Sequence, residues 1–158
     1  MGIVIDSATH DIGVVRYLLA KDPISVFSRV GSIKHPKEDH AIIVMDFSDT
    51  TVCIEVNWFT PYKVRSLVAT GSEGIACLDY IEQEVTLYSC HDIVSVDLQK
   101  AEPLKVELQD FLQSITDDKK PAVDGLEGRE ILKIALESSR NNYYVSPVYH
   151  GRRVGVLS

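Results

Sequence analysis

The chain has 158 residues, a hydrophobic fraction of 45%, a charged fraction of 25% and a formal net charge of -7. These values suit one globular domain with a real core, and the negative charge argues against a nucleic-acid backbone or an anionic membrane surface as the main partner. No apolar run is long enough to cross a bilayer, and Cys53, Cys77 and Cys90 lack CxxC or zinc spacing, so free thiols in a reducing cytoplasm are expected.

The first predicted element is a helix over Gly2 to Ala20. Ala8, Ile12, Val15 and Leu19 recur at the spacing of a buried stripe, and Asp6 and His10 stand four residues apart, with Asp11 next door. A carboxylate beside an imidazole is a recurrent proton-transfer unit, because the acid orients the ring and raises its basicity. On spacing alone, an N-capping Asp6 followed by a surface histidine is the simpler account. Asp22-Pro23 ends the helical pattern.

Seven strands follow, with almost no helix between them. Ile24 to Arg29 is the first, and Gly31 to Asp39 reads as an exposed loop. His40 to Phe47 alternates Ala41, Ile43, Met45 and Phe47 against Ile42, Val44 and Asp46; after Ser48-Asp49, Thr51 to Trp58 alternates Val52, Ile54, Val56 and Trp58 against polar residues. Thr60-Pro61 breaks the pattern. Lys63 to Thr70, Ile75 to Ile81, Val85 to Cys90 and Ile93 to Leu98 then form a meander, whose short turns demand antiparallel pairing.

From Pro103 the period changes to helical, with Leu104, Leu108, Phe111 and Ile115 on one stripe. A last helix spans Asp124 to Arg140, with Asp124 as N-cap and Leu132, Ala135 and Leu136 inward. The expectation is an α+β fold: an open, mostly antiparallel sheet of about six to seven strands with helices on one face. Residues 1–145 are taken as a single domain and 146–158 as an irregular tail.

Asn57, Trp58, Tyr62, Lys63 and Arg65 cluster around a strand end and a proline turn. Two cations and two aromatic side chains suit a nucleotide sugar, though a core Trp58 and a solvated edge explain them equally well. His35, His40 and His91 have no ligand spacing, so no metal site is expected. Cys90-His91-Asp92 reads as a turn between strands rather than a nucleophile site.

Several motifs, in order, resemble one family. Gly2 to Ile12 is similar to a G-x-x-x-D-x-x-x-H segment. Glu55 to Arg65 resembles the strand and turn that follow its hairpin, and Thr70 to Tyr80 its T-G-x-E-G-x-x-x-L-D-Y segment. Glu102-Pro103-Leu104 with Phe111, and Pro121 to Gly128, resemble its closing helices. The family is that of the Gfo/Idh/MocA oxidoreductases, and the resemblance is to the C-terminal half. The version W-x-T-P-Y-K-V-R is most like a subgroup acting on UDP-N-acetylglucosamine at the 3-position.

The resemblance implies a glyceraldehyde-3-phosphate-dehydrogenase-like C-terminal fold. It implies His10 as the base that takes a hydroxyl proton and Asp6 as the carboxylate that orients it. The substrate would be a sugar, nucleotide sugar or polyol, and Asn57, Trp58, Tyr62, Lys63 and Arg65 would bind it. NAD or NADP would be held by an N-terminal Rossmann domain, fused or separate. No G-x-G-x-x-G opens a helix after a strand here, so this chain lacks the loop that cradles a pyrophosphate. The other reading is a non-catalytic oligomerisation or ligand-binding module. The two are compatible, since a homo-oligomer through the sheet face is expected in either case.

Overall fold

A computed structural model describes residues 1–140 and, for the backbone, 143–145; the tail expected over 146–158 lies outside the described residues. The chain divides into two compact units, Met1–Phe59 with Val123–Ser158, and Thr60–Ala122. The α+β class and the antiparallel pairing are as expected, but the strands fall into two four-stranded sheets rather than one.

The first unit opens with a π turn, Val4–Ala8, that runs directly into α1, Thr9–Leu19. Its sheet contains β1 (Ser25–Gly31), β2 (His40–Asp46), β3 (Thr51–Asn57) and, from a segment with no predicted element, β8 (Tyr143–Val145). The order is β3-β2-β1-β8, and every pair is antiparallel.

The alternation in β2 sets the core. Ala41, Ile43, Met45 and Phe47 are buried together with Val26, Ile54 and Val56, while Ile42 on the opposite face is half exposed. Ile3, Val4, Ala8, Ile12 and Val15 cover that inner face, along with Ile134 and Ala135 of α3, Gly125–Ser138.

Helix α1 ends where Ala20 adopts a left-handed conformation (φ 50°) and its N–H bonds to the Arg16 carbonyl at 2.8 Å. Gly13 permits a close approach of α3, because a Cβ there would stand 3.2 Å from Ile131 Cδ1. Arg16 locks the two helices with a two-pronged ion pair, Nε to Glu127 Oε1 at 2.8 Å and Nη2 to Oε2 at 3.0 Å. Glu127 lies in the first turn of α3, where a carboxylate also meets the positive end of the helix dipole. Arg16 holds its carboxyl below the usual range, against the upward effect of burial. The Asp124 carboxylate accepts from the N–H groups of Leu126 and Glu127, confirming the expected N-cap.

The inward face of α3 is corrected. Ile134, Ala135 and Ser138 are buried and Ile131 packs against them, whereas Leu132 and Leu136 are 43% and 44% exposed. The contact with α1 at Ile131 fixes the rotation of α3 and turns the two leucines outward.

The second unit is the meander β4 (Ser66–Gly71), β5 (Gly74–Asp79), β6 (Glu84–Tyr88) and β7 (Ile93–Val96), in that spatial order. Its registers put Leu67, Leu78, Val85 and Val96 in one row across the sheet, and Ala69, Ala76, Leu87 and Val94 in another. Alternation places both rows on the same face, which is wholly apolar. The opposite face mixes Val68, Ile75 and Ile93 with Thr70, Cys77, Thr86 and Ser95. None of the residues of β4 to β7 is buried.

Helix α2, Pro103–Thr116, starts as expected: Pro103 is the first helical residue, and the Glu102 carboxylate accepts from Leu104 and Lys105 N–H. Its apolar stripe of Leu104, Leu108, Phe111 and Ile115 is nevertheless exposed, and no residue of α2 is buried.

The core predicts a contrast. Ile43→Ala should cost about 2–5 kcal/mol of stability, while Leu136→Ala should stay within about 1 kcal/mol. Equal losses in chemical denaturation would contradict the observed rotation of α3.

Candidate functional site

The structure puts Asp6 within the π turn and His10 one residue into α1, both on the exposed side of the helical segment. The expected single α-helix is thus interrupted. The Thr9 N–H reaches back five residues to the Val4 carbonyl, and Thr9 Oγ1 donates to the Ile5 carbonyl at 3.0 Å. Thr9 therefore satisfies two carbonyls of the widened turn. Asp6 is not an N-cap; its Oδ2 accepts from Ser7 Oγ at 3.2 Å. No hydrogen bond joins Asp6 to His10, and both side chains are exposed.

The loop read as wholly exposed contains the most deeply buried carboxylate of the first unit. Asp39 is completely buried. Its Oδ2 accepts the backbone N–H groups of Ile33 (2.8 Å), Lys34 (2.7 Å) and His35 (3.1 Å), and Oδ1 lies 2.9 Å from His40 Nδ1. Burial alone would raise this carboxyl; the hydrogen bonds from Lys34, His40, Ile33 and His35 together hold it far below the usual carboxylate range. The signal was present in the sequence: position 39 shares the parity of the inward residues 41, 43, 45 and 47.

Asp39 also organises its surroundings through its backbone. Its N–H bonds to the Gly31 carbonyl at 2.9 Å, and its carbonyl accepts the Trp58 N–H at 3.0 Å. The neighbouring Glu38 carbonyl accepts the Ile3 N–H at 2.9 Å, which ties the start of the π turn to this loop. Trp58 is 39% exposed, with its indole met edge-on by the His35 ring at 5.2 Å. It lies at the rim of the unit and not in its core. The Asn57 Oδ1 accepts the Phe59 N–H at 2.9 Å and turns the chain at the end of β3.

Asp6, His10, Asn57 and Trp58 therefore belong to the first unit. Tyr62, Lys63 and Arg65 belong to the second and are exposed around Pro61; the Arg65 carbonyl accepts the Tyr80 N–H at 3.0 Å. Ser89 and Asp92 close the turn around Cys90 and His91, with Ser89 N–H to Asp92 O at 2.9 Å.

Residues 1–77 match the family model of the GFO/IDH/MocA C-terminal domain. The first 77 residues are thus similar to the C-terminal domain of the Gfo/Idh/MocA oxidoreductases. All seven residues singled out above lie inside the matched stretch. The UDP-N-acetylglucosamine 3-dehydrogenase of Acidithiobacillus ferrooxidans is 23% identical over 147 residues, 85% of this chain and 47% of that enzyme. A crystal form of the same enzyme, GnnA, superposes with a TM-score of 0.81 over 88% of this chain and 46% of its own, at 23% identity. The aldose-aldose oxidoreductase from Caulobacter crescentus gives 0.74 at 15% identity, over 87% of this chain and 45% of its own. An NAD-binding protein from Listeria innocua gives 0.69 at 19% identity, over 92% and 48%. The chain thus spans about half the length of the relatives it matches.

The described residues do not suit a resident dinucleotide. Every strand pairing is antiparallel, so no βαβ unit places a glycine loop before a helix N-terminus.

The Asp39 network predicts an acid-side stability dependence. Because the folded carboxyl is depressed, its contribution is complete above the unfolded aspartate range, near ~4, and drains as pH falls from there toward the folded value. Asp39→Asn should lower Tm at neutral pH by about 5 °C or more and flatten the acid limb of Tm against pH. An unchanged acid limb would show that Asp39 is not the titrating group.

Proposed function

We propose that this chain is the substrate-binding and proton-transferring half of an NAD(P)-dependent oxidoreductase acting on a hydroxyl of a sugar, nucleotide sugar or polyol. The observation that carries the reading is the exposed Asp6–His10 pair on an interrupted helix, inside the stretch that matches the family model. A hydroxyl carbon gives up hydride only as its proton leaves, so a base must stand within hydrogen-bond reach of that proton. His10 takes the proton. Asp6, four residues earlier and also exposed, is the carboxylate that assists the transfer. Asn57, Trp58, Tyr62, Lys63 and Arg65 contribute to substrate binding. The dinucleotide is held by an N-terminal Rossmann domain, fused or separate, since the residues here do not suit it. A UDP-sugar is favoured as substrate by the likeness to the A. ferrooxidans enzyme over most of this chain.

With the chain joined to a dinucleotide-binding domain, His10→Ala should reduce turnover of the sugar or polyol about 10²–10⁴-fold, with Tm unchanged. Asp6→Asn should cost less. Wild-type turnover in the His10 variant would remove the assignment.

A second reading, self-association, is favoured by one observation. The two apolar rows on one face of β4 to β7 leave the second unit without a buried strand residue, and Leu87 and Val94 are 42% and 50% exposed. A sheet of this composition needs a cover, and a second copy of the same face is self-complementary about a two-fold axis. Leu87→Lys with Val94→Lys should convert the chain to monomer in light scattering. If the wild type is already monomeric at tens of micromolar, this reading fails.

A further inference from the structure

The loop from Gly31 to His40 carries a cluster of side chains beyond the proton pair. Asp39 draws in the N–H groups of Ile33, Lys34 and His35, and the side chains of Lys34 and His35 remain exposed. Lys34 Nζ stands 5.5 Å from the centroid of the Phe59 ring, and the His40 ring lies 6.1 Å from the same centroid at a tilt of 47°. His35 meets the adjacent Trp58 edge-on at an interplanar angle of 89°. One ammonium and two imidazoles therefore gather around two neighbouring aromatic rings. Lys34 has no carboxylate partner among the described residues, and the charge of Asp39 is satisfied internally.

His40 is fixed from three directions. Asp39 holds Nδ1, Phe59 flanks the ring, and Gly31 provides the space, since a Cβ there would collide with the imidazole. An ionised carboxylate only accepts, so Nδ1 carries the hydrogen in that contact, and the Cε1–Nε2 edge of the ring lies over Gly31. The side chain of His40 is 40% exposed, enough for a ligand to reach the ring.

These groups match the parts of one ligand class. A planar base stacks on aromatic rings, a ribose hydroxyl donates to an imidazole nitrogen, and a phosphate pairs with an ammonium. We propose that Lys34, His40 and the Trp58–Phe59 pair form the binding place for a nucleoside diphosphate group. It rests on the reading above in one respect: the group is the handle of a nucleotide-sugar substrate. It differs from that reading in assigning the diphosphate to the Asp39 loop instead of to Lys63 and Arg65.

The test is a calorimetric titration of the full chain with UDP, uridine and inorganic pyrophosphate. UDP should bind with a Kd of about 1 mM or tighter, and uridine and pyrophosphate at least about 10-fold more weakly. Lys34→Gln and His40→Asn should each weaken UDP about 10-fold or more, and Lys34→Gln, whose side chain takes no part in the Asp39 network, should do so with Tm preserved. Unchanged UDP affinity in both variants overturns the proposal. So does equal binding of the three probes, or no binding of UDP by the wild type. If Lys63→Gln and Arg65→Gln lose UDP while the Lys34 and His40 variants retain it, the proposal falls and the nucleotide-sugar reading stands. That wider reading is decided separately, by the turnover of the His10 variant on a polyol.

Discussion

A single buried carboxylate holds together one end of the first unit. Asp39 brings its own charge into the core, and three backbone N–H groups and one imidazole converge on it. Without them, a carboxyl at that position would take up a proton rather than stay ionised away from water. Four pieces of chain are tied at this point. The end of β1 and the end of β3 bond to the Asp39 backbone, β2 begins at the next residue, and the start of the π turn bonds to Glu38. The polar network thus fixes where the helical segment bearing Asp6 and His10 begins.

The π turn follows from the spacing of the apolar residues. Val4, Ala8 and Ile12 are four apart, and at 3.6 residues per turn each such step overshoots a straight line by about 40°. Two steps would rotate Val4 well away from Ile12. A wider turn between Val4 and Ala8 takes up the overshoot, so that all three stay in the core. The same widening leaves carbonyls that Thr9 satisfies through its N–H and its hydroxyl. The irregularity therefore reconciles a buried stripe with an exposed Asp6 and His10, and it coincides with the residues of chemical interest, as π turns often do.

Much of this was legible in the sequence. The strict period of two in β2 and β3 named the inward residues correctly, because a strand that slips by one exchanges its faces entirely. The helix stripes in α1 and α2 were equally legible. What a helical period lacks is the identity of the covering surface. In α3 the apolar residues Ile131, Leu132, Ile134 and Leu136 surround the helix, and the choice among them came from Gly13 and Arg16 on α1, more than a hundred residues away. In α2 the helix itself formed as expected, but its stripe is exposed and nothing in the described unit covers it. Asp39 was missed for a different reason. A charged residue before a strand is usually solvated, and its burial depended on donors supplied by the turn it stabilises.

The candidate site follows the same division between local pattern and distant partner. Asp6 and His10 are adjacent by helical geometry, so their pairing is readable from spacing, but four-residue Asp–His spacing is common and carries little chemistry alone. Its weight comes from the family match over residues 1–77 and from the exposure of both groups. Among the described residues the sheets are antiparallel and carry no phosphate-binding crossover. On the reading proposed above, His10 is a proton acceptor exposed on a well-packed unit. The core on one side of the helix fixes its position, while Asp6 and His10 stay open to solvent.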